Sequence, residues 1–333
     1  MNPSIGLTPS GVAVTVGARL HLGFLDLNGE LGRRFGSVGL GISGLRGNLT
    51  LRRARMTRVE GPDSSRAGRY LVAMQRHLGL TGSHHLTVAE AIPPHAGLGS
   101  GTQLALAVAA AVRRLHGLAL DTPGDALHLD RGARSGIGVG LFETGGFIVD
   151  AGRASSTAMP PIVSRLDFPE EWRVIVVLDP LHQGLHGEPE RAAFRELRPM
   201  SAGDSAHICR LLLMQGLPAL AERDIQRFGA AIAQMQEMLG DYFAPAQGGQ
   251  RFTSPKVAAI LSGMAQEGAH GIGQSSWGPT GFAFAANARE AERMADAARR
   301  RPDAASLDIL VVSGLNRCSE ITTIAASSAR EMQ

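Results

Sequence analysis

The sequence predicts an α+β fold in two domains. Three observations predict it. The chain has 333 residues, which is long for one compact core. Its first part reads as strands interspersed with three helices, whereas residues 189–267 read as a run of helices. Near the end, a strand at Gly281–Ala285, a helix at Ala288–Arg299 and a strand at Asp308–Val312 follow one another, a layout that suits an open sandwich. The boundary is expected near residue 170, giving domains 1–170 and 171–333. No low-complexity linker or internal repeat interrupts the chain.

The elements follow in order. Val12–Val16 alternates as a strand, and Ala18–Leu25 continues as a second. Gly36–Gly44 is apolar and punctuated by glycine, and Leu49–Arg53 is another strand. Arg66–Leu78 forms a helix closed by Gly79, and His84–Ala89 alternates again before a double proline. A helix covers Gly101–Leu115, and a short one covers Thr122–Arg131, capped by Asp121 or Thr122. Gly145–Val149 is a strand, and Arg173–Leu178 is apolar enough to be a buried one. Helices are expected at Pro189–Leu197, Ala202–Gln215, Asp224–Leu239 and Ser254–Glu267, with a loop at Ala246–Arg251. Ile321–Ile324 gives a final short strand.

The stretch Pro93–Gln103, PPHAGLGSGTQ, organises the rest. Gly97, Gly99 and Gly101 let backbone N–H groups approach a ligand and bend where a side chain would forbid it. The alanine-rich helix that follows brings unpaired N–H donors and a partial positive charge to its first turn. Together these make a phosphate cradle, to which Ser100 and Thr102 add hydroxyls and Gln103 an amide. The blander alternative is a glycine-rich turn before a buried helix. The loop is neither a Walker A sequence nor a dinucleotide fingerprint.

Composition excludes several classes. Apolar residues make up 44% and charged residues 19%, the profile of a globular protein. Net charge is only +3. Arginines cluster at Arg46, Arg52, Arg53, Arg55, Arg58, Arg66 and Arg69, but no aromatic platform interleaves them, so a solvated face is favoured over a nucleic-acid surface. Lys256 is the only lysine, so any anion-binding cation is expected to be arginine. Two distant cysteines, Cys209 and Cys318, provide neither a disulfide framework nor a zinc site, and point to a reduced, cytoplasmic setting. The start MNPSIGLTPSG lacks a signal-peptide pattern, and no apolar run reaches membrane-spanning length.

The pattern Pro-x-x-x-Gly-Leu-Gly-Ser-Gly resembles the phosphate-binding motif of the GHMP kinase superfamily, and GIGQSSWGPTG at Gly271–Gly281 sits where that superfamily has its third motif. Ala18–Leu40, Ser135–Gly152 and Gly184–Phe194 are similar to one branch, the beta-ribofuranosylaminobenzene 5'-phosphate synthase family. The resemblance implies a two-domain GHMP-kinase-like α+β fold with the ligand cleft between the domains. It implies a magnesium-dependent phosphoribosyltransferase that joins phosphoribosyl pyrophosphate to para-aminobenzoate or para-hydroxybenzoate. Carbon dioxide and pyrophosphate leave, in the first step of methanopterin-type one-carbon carrier synthesis. It also implies a homodimer, with no organic cofactor, nucleic acid or membrane.

The residues carry this reading in part. Arg19, His21 and Asp26 are the catalytic candidates, Asp26 also being the candidate magnesium ligand and Arg33 a phosphate clamp. Asn28 is either a substrate contact or part of an Asn-Gly turn. Ser275, Ser276 and Thr280 offer hydroxyls, and Trp277 either walls a pocket for a flat ring or packs in the core. His95 either contacts an oxyanion or faces solvent. His182 and His186 are read as part of a loop closing the cleft rather than as metal ligands, since Gly184 and Gly187 disfavour a rigid helix. Arg191 and Arg195 either present two guanidiniums or form a solvated face. After Ser135-Gly136 no aspartate base follows, Glu143 being the nearest acid. This departs from mevalonate-type kinases and suits chemistry without a strong base. An ATP-dependent kinase of the superfamily is the alternative, and a non-catalytic sensor a third reading.

Overall fold

The computed structural model describes residues 9–325. The signal-peptide reading of the N-terminus therefore falls largely outside the described residues. Two sheets form the frame. The first contains β1 (Gly11–Asp26), β2 (Arg33–Ala54), β3 (Arg58–Glu60), β4 (Ser83–Glu90), β5 (Phe147–Asp150), β6 (Arg153–Ala154) and β7 (Ile162–Leu166). Its helices are α1 (Ser64–His77), α2 (Ser100–Leu115), α3 (Thr122–His128) and α4 (Ile137–Thr144). The second part has β8 (Arg173–Leu178), α5 (Gly187–Glu196), α6 (Ala202–Leu211), α7 (Leu217–Ala221), α8 (Ile225–Phe243), α9 (Pro255–Gln266), β9 (His270–Gln274), β10 (Gly281–Ala285), α10 (Ala288–Arg299) and β11 (Asp308–Val312). A last strand, β12 (Glu320–Ile324), completes the order.

The first sheet runs β12-β1-β2-β4-β3, with β5 joined to β2 and β7 to β5. The second runs β11-β8-β10-β9 and is antiparallel throughout. Residue 170 falls between β7 and β8, but the chain does not divide cleanly there. β12 returns and pairs with β1, Val12 opposite Thr323. Strand pairing across the whole sequence thus makes the C-terminal segment part of the first sheet.

Two pairs of expected strands are each one long strand. β1 and β2 form a hairpin whose register shifts at Gly17/Ala18 and His21/Gly23. These bulges let the strands bend without ending, and the interrupting glycines read as breaks in the sequence. The stretch after Gly136 is a helix, α4, with Ile137 to Phe142 buried. α2 is buried nearly all round against β1 and β2, which explains its alanine content: small side chains let a central helix lie close to its neighbours.

Candidate active site

The site begins at the α2 N-terminus. Gly97 and Gly99 both have φ near +77°, a region costly for any residue with a Cβ. Space also requires glycine at both. A Cβ on Gly97 would lie 2.3 Å from the Ser275 carbonyl oxygen, and one on Gly99 would lie 2.7 Å from Arg19 Cγ. Gly99 is the N-cap of α2, and no side chain caps it. By contrast, Asp121, Ser201, Asp224, Ser254 and Asn287 cap α3, α6, α8, α9 and α10 with their side chains. The first turn of α2 keeps its donors for something else.

Three arginines surround that turn. Arg19, on β1, donates from Nη1 to the Gly97 carbonyl at 3.3 Å, and its backbone N–H donates to Leu98 at 3.1 Å. Burial lowers its pKa to about 10, with Glu190 opposing the shift. Arg66, on α1, donates to Ser100 Oγ at 3.3 Å and pairs with Asp63. Arg131 donates to Tyr70 at 2.6 Å. A Cβ placed on Gly101 would lie 3.4 Å from Arg66 Nη1 and 3.6 Å from Arg131 Nη1. In all three arginines the Nε is buried and makes no hydrogen bond. Such a donor is costly to leave unpaired, so the cluster is suited to an anion that the helix terminus also attracts.

His21 follows Arg19 on the same face of β1. Its backbone N–H donates to Ser275 Oγ at 3.0 Å, and its carbonyl accepts from the Ser276 N–H at 3.1 Å. Ser275 Oγ in turn donates to the Gly97 carbonyl at 2.8 Å. The third glycine-rich stretch is thereby fastened to both the phosphate loop and β1. Burial, then Arg19 and Arg134, hold the His21 imidazole well below its ordinary pKa, against a smaller opposing backbone hydrogen bond. Trp277 is buried against Phe243 and Phe194 and also lines the cavity beside His21. This tryptophan thus packs in the core and lines a cavity at once. Thr280 is fully buried, and its hydroxyl has no partner.

Other candidates have structural engagements. Gln103 donates to the Gly138 carbonyl at 2.9 Å, and Thr102 packs against Gly138, so both fasten α2 to α4. Asp26 Oδ1 accepts from the Asn28 and Gly29 N–H groups at 2.7 and 3.0 Å. Asn28 donates to the Met200 carbonyl at 2.8 Å. Asp26 therefore organises the hairpin turn, seven residues along β1 from Arg19. Among the described residues no group of three His, Cys, Asp or Glu side chains could hold a metal. Arg33 donates to the Ala151 and Gly152 carbonyls at 2.9 and 2.8 Å, which braces β2 rather than the loop at Gly97.

A strap crosses above the phosphate loop. The Gly184 N–H donates to the His95 carbonyl at 3.1 Å, and the His95 and His186 rings stack at 3.8 Å. His182 instead pairs with Asp179 at 2.8 Å. Arg191 and Arg195 both close on Glu188 in an exposed cluster. Arg134 pairs with Glu190 at 2.8 Å and lies over the Phe194 ring. Sequence reasoning gives no site role to Arg66, Arg131 or Arg134. It groups Arg66 with the solvated arginines, and nothing in its sequence neighbourhood separates it from Arg69.

Comparisons with known proteins bear on the fold and the family. Residues 66–148 match the GHMP kinases N terminal domain, and residues 217–304 match the GHMP kinases C terminal family. Mevalonate kinase from L. major, in complex with R-mevalonate, superposes with a TM-score of 0.69 at 16% identity, covering 92% of this chain and 98% of that one. Homoserine kinase from Cytophaga hutchinsonii gives 0.65 at 15% identity, over 96% and 100% of the two chains. These likenesses establish the fold. Beta-ribofuranosylphenol 5'-phosphate synthase of Methanothermobacter thermautotrophicus is 36% identical over 79% of this chain and 85% of its own length. The protein of the same name from Archaeoglobus fulgidus is 34% identical over 80% and 85%. With the glycine loop, the third motif and the fold all in place, the chain belongs to the beta-ribofuranosylphenol 5'-phosphate synthase family, within the GHMP kinase superfamily.

Proposed function

We propose that the protein is a decarboxylating phosphoribosyltransferase. It joins phosphoribosyl pyrophosphate to a para-substituted benzoate and releases carbon dioxide and pyrophosphate, the entry reaction of methanopterin-type carrier synthesis. The observation that carries this reading is the set of three unpartnered buried guanidinium nitrogens around an uncapped helix N-terminus. Such a site favours a polyanion, and departing pyrophosphate is the group whose charge must be stabilised. The relatives are named for a ribofuranosylphenol phosphate, which favours para-hydroxybenzoate over para-aminobenzoate. Magnesium is assigned to the pyrophosphate as part of the substrate, and Asp26, whose Oδ1 serves its turn, has only its second carboxylate oxygen to offer it.

An ATP-dependent kinase is disfavoured. Gly136 leads into an apolar helix, and Glu143, the nearest acid after it, is exposed. Asp150 does reach Gly136, accepting from its N–H at 2.9 Å, but it also accepts from the Gly152 N–H at 2.9 Å. Its carboxylate serves the backbone. A homodimer and a cytoplasmic setting complete the proposal. The two exposed free cysteines suit the latter, and no described helix is long and apolar enough to cross a membrane.

The decisive assay supplies phosphoribosyl pyrophosphate, magnesium and carboxyl-labelled para-hydroxybenzoate. Carbon dioxide released in step with pyrophosphate is the expected result. ATP turnover with an alcohol acceptor, and no carbon dioxide from either benzoate, would establish the kinase instead.

A further inference from the structure

Beside the phosphate loop, between β1 and the second half of the chain, lies a small cavity. It is lined by His21, Phe24, Leu239, Phe243, Gln274 and Trp277. Its wall is aromatic: Trp277 and Phe243 meet at 4.6 Å between ring centroids, as do Phe24 and His21. A flat ring suits such a wall. His21 is buried, and neither ring nitrogen has a partner. Its backbone is fixed on both sides by Ser275 and Ser276, so the ring is held in place against the cavity without being satisfied there.

The charged groups around the ring are known. Arg19 shares its strand. Arg134 pairs with Glu190, and Arg251, which also lines the cavity, is held by Asp241 at 2.5 and 2.8 Å. Burial first, then Arg19 and Arg134, hold the imidazole neutral. A neutral imidazole can accept a hydrogen bond at one nitrogen, which a carboxylate could not exploit as well as a hydroxyl.

We propose that His21 is a catalytic residue that accepts the proton of the substrate's para-hydroxyl while the benzoate ring lies in this aromatic cavity. The inference rests on the synthase reading. The para O–H bond breaks and its proton goes to the His21 nitrogen. The oxygen's electron pair moves into the ring, and the ring carbon bearing the carboxylate bonds to the anomeric carbon of the ribose. The bond from that carbon to pyrophosphate breaks, and pyrophosphate takes the pair. The carbon–carboxylate bond then breaks, carbon dioxide leaves, and its electron pair restores the aromatic ring. His21 returns the proton to the phenolate oxygen. No oxidant or reductant is needed.

A phenol has an ordinary pKa of about 10, so transfer to a neutral imidazole is unfavourable before the ring reacts. It becomes favourable as the oxygen takes on carbonyl character, which places the proton transfer within the bond-forming step. The cavity holds about 40 Å³, against roughly 150 Å³ for one that admits benzene. Gln247, Arg251 and Phe252 belong to its lining, and seating the ring requires the wall to widen.

The test compares wild type with His21→Gln on 4-hydroxybenzoate, 3-fluoro-4-hydroxybenzoate and 3,5-difluoro-4-hydroxybenzoate, reading carbon dioxide release. Fluorine makes the hydroxyl more acidic, and its effect on ring reactivity is common to both proteins. The variant should lose about 100-fold on 4-hydroxybenzoate, and the deficit should shrink to within about tenfold on the difluoro acid. Each comparison is a ratio within one preparation, and a thermal shift with phosphoribosyl pyrophosphate reports that the variant is folded. An equal loss across the series, or a loss confined to the KM for phosphoribosyl pyrophosphate, overturns the role of His21 alone. No carbon dioxide from wild type with any of the three acids overturns the synthase reading itself.

Discussion

Arg66 and Arg131 both approach the first turn of α2 at Gly101, and each leaves its Nε buried and unpartnered. A charge-assisted hydrogen bond contributes about 1.5–3 kcal/mol. Replacing either arginine by Ala is therefore expected to weaken phosphoribosyl pyrophosphate binding by roughly 10- to 100-fold, read by isothermal titration, while Arg69→Ala leaves it unchanged. Gly97→Ala acts differently. It needs a Cβ at positive φ and 2.3 Å from a carbonyl oxygen, so a loss of about 2 kcal/mol or more is expected in a urea titration, together with lost substrate binding. The glycines were legible in the sequence, because an uncommon residue pattern announces an uncommon backbone. The arginines were not, because their convergence depends on three separate segments.

At the scale of elements, α2 is anchored by a buried ion pair. Arg113 donates to Asp125 at 2.6 and 2.7 Å, joining α2 to α3. Asp125→Ala leaves Arg113 only the Ala119 carbonyl and the more distant Asp121, and about 3 kcal/mol should be lost, seen as a lower urea midpoint at unchanged slope. A second contact makes stability depend on pH. His84 and His116 meet at 2.8 Å between their Nε2 atoms, and burial, followed by neighbouring cations, lowers the pKa of both. The unfolded chain binds protons more readily than the folded one here. Their contribution is thus present above the ordinary histidine pKa and is lost as pH falls through the lowered folded values. His116→Gln should flatten the acid limb of the stability curve relative to wild type. Long apolar periodicity made α2 and most later helices legible. The bulged β1–β2 hairpin was read as four pieces, because a glycine inside a strand and a glycine between strands look alike in sequence.

For the whole molecule, the two sheets share one buried apolar core, in which Phe147 meets Phe228 and Phe168 meets Phe284, and polar bonds add to it at one crossing. Asn316 accepts from the Phe168 N–H and donates to the Phe168 carbonyl, both at 2.8 Å. The Ser43 hydroxyl and the Ser313 backbone exchange a matching pair at 3.1 and 3.0 Å. These bonds hold the crossing from β11 to β12, where the chain returns to the first sheet. Asn316→Ala leaves buried backbone groups unpaired and should cost about 1–3 kcal/mol. Because the crossing joins both sheets, near- and far-ultraviolet circular dichroism should still report one coincident unfolding transition, at a lower denaturant midpoint.

The sequence by itself determined the α+β class, the glycine-rich loop at Gly97–Gly101 and its helix, and the second glycine-rich stretch at Gly271–Gly281, since each depends on residues close together in the chain. Tertiary structure decided the membership of the site. It brought Arg19, Arg66 and Arg131 to one helix terminus, turned Asp26 and Arg33 to backbone support, and returned β12 to β1. The physical reason is that backbone conformation is largely a local property, whereas charge convergence and strand pairing depend on where distant segments are packed.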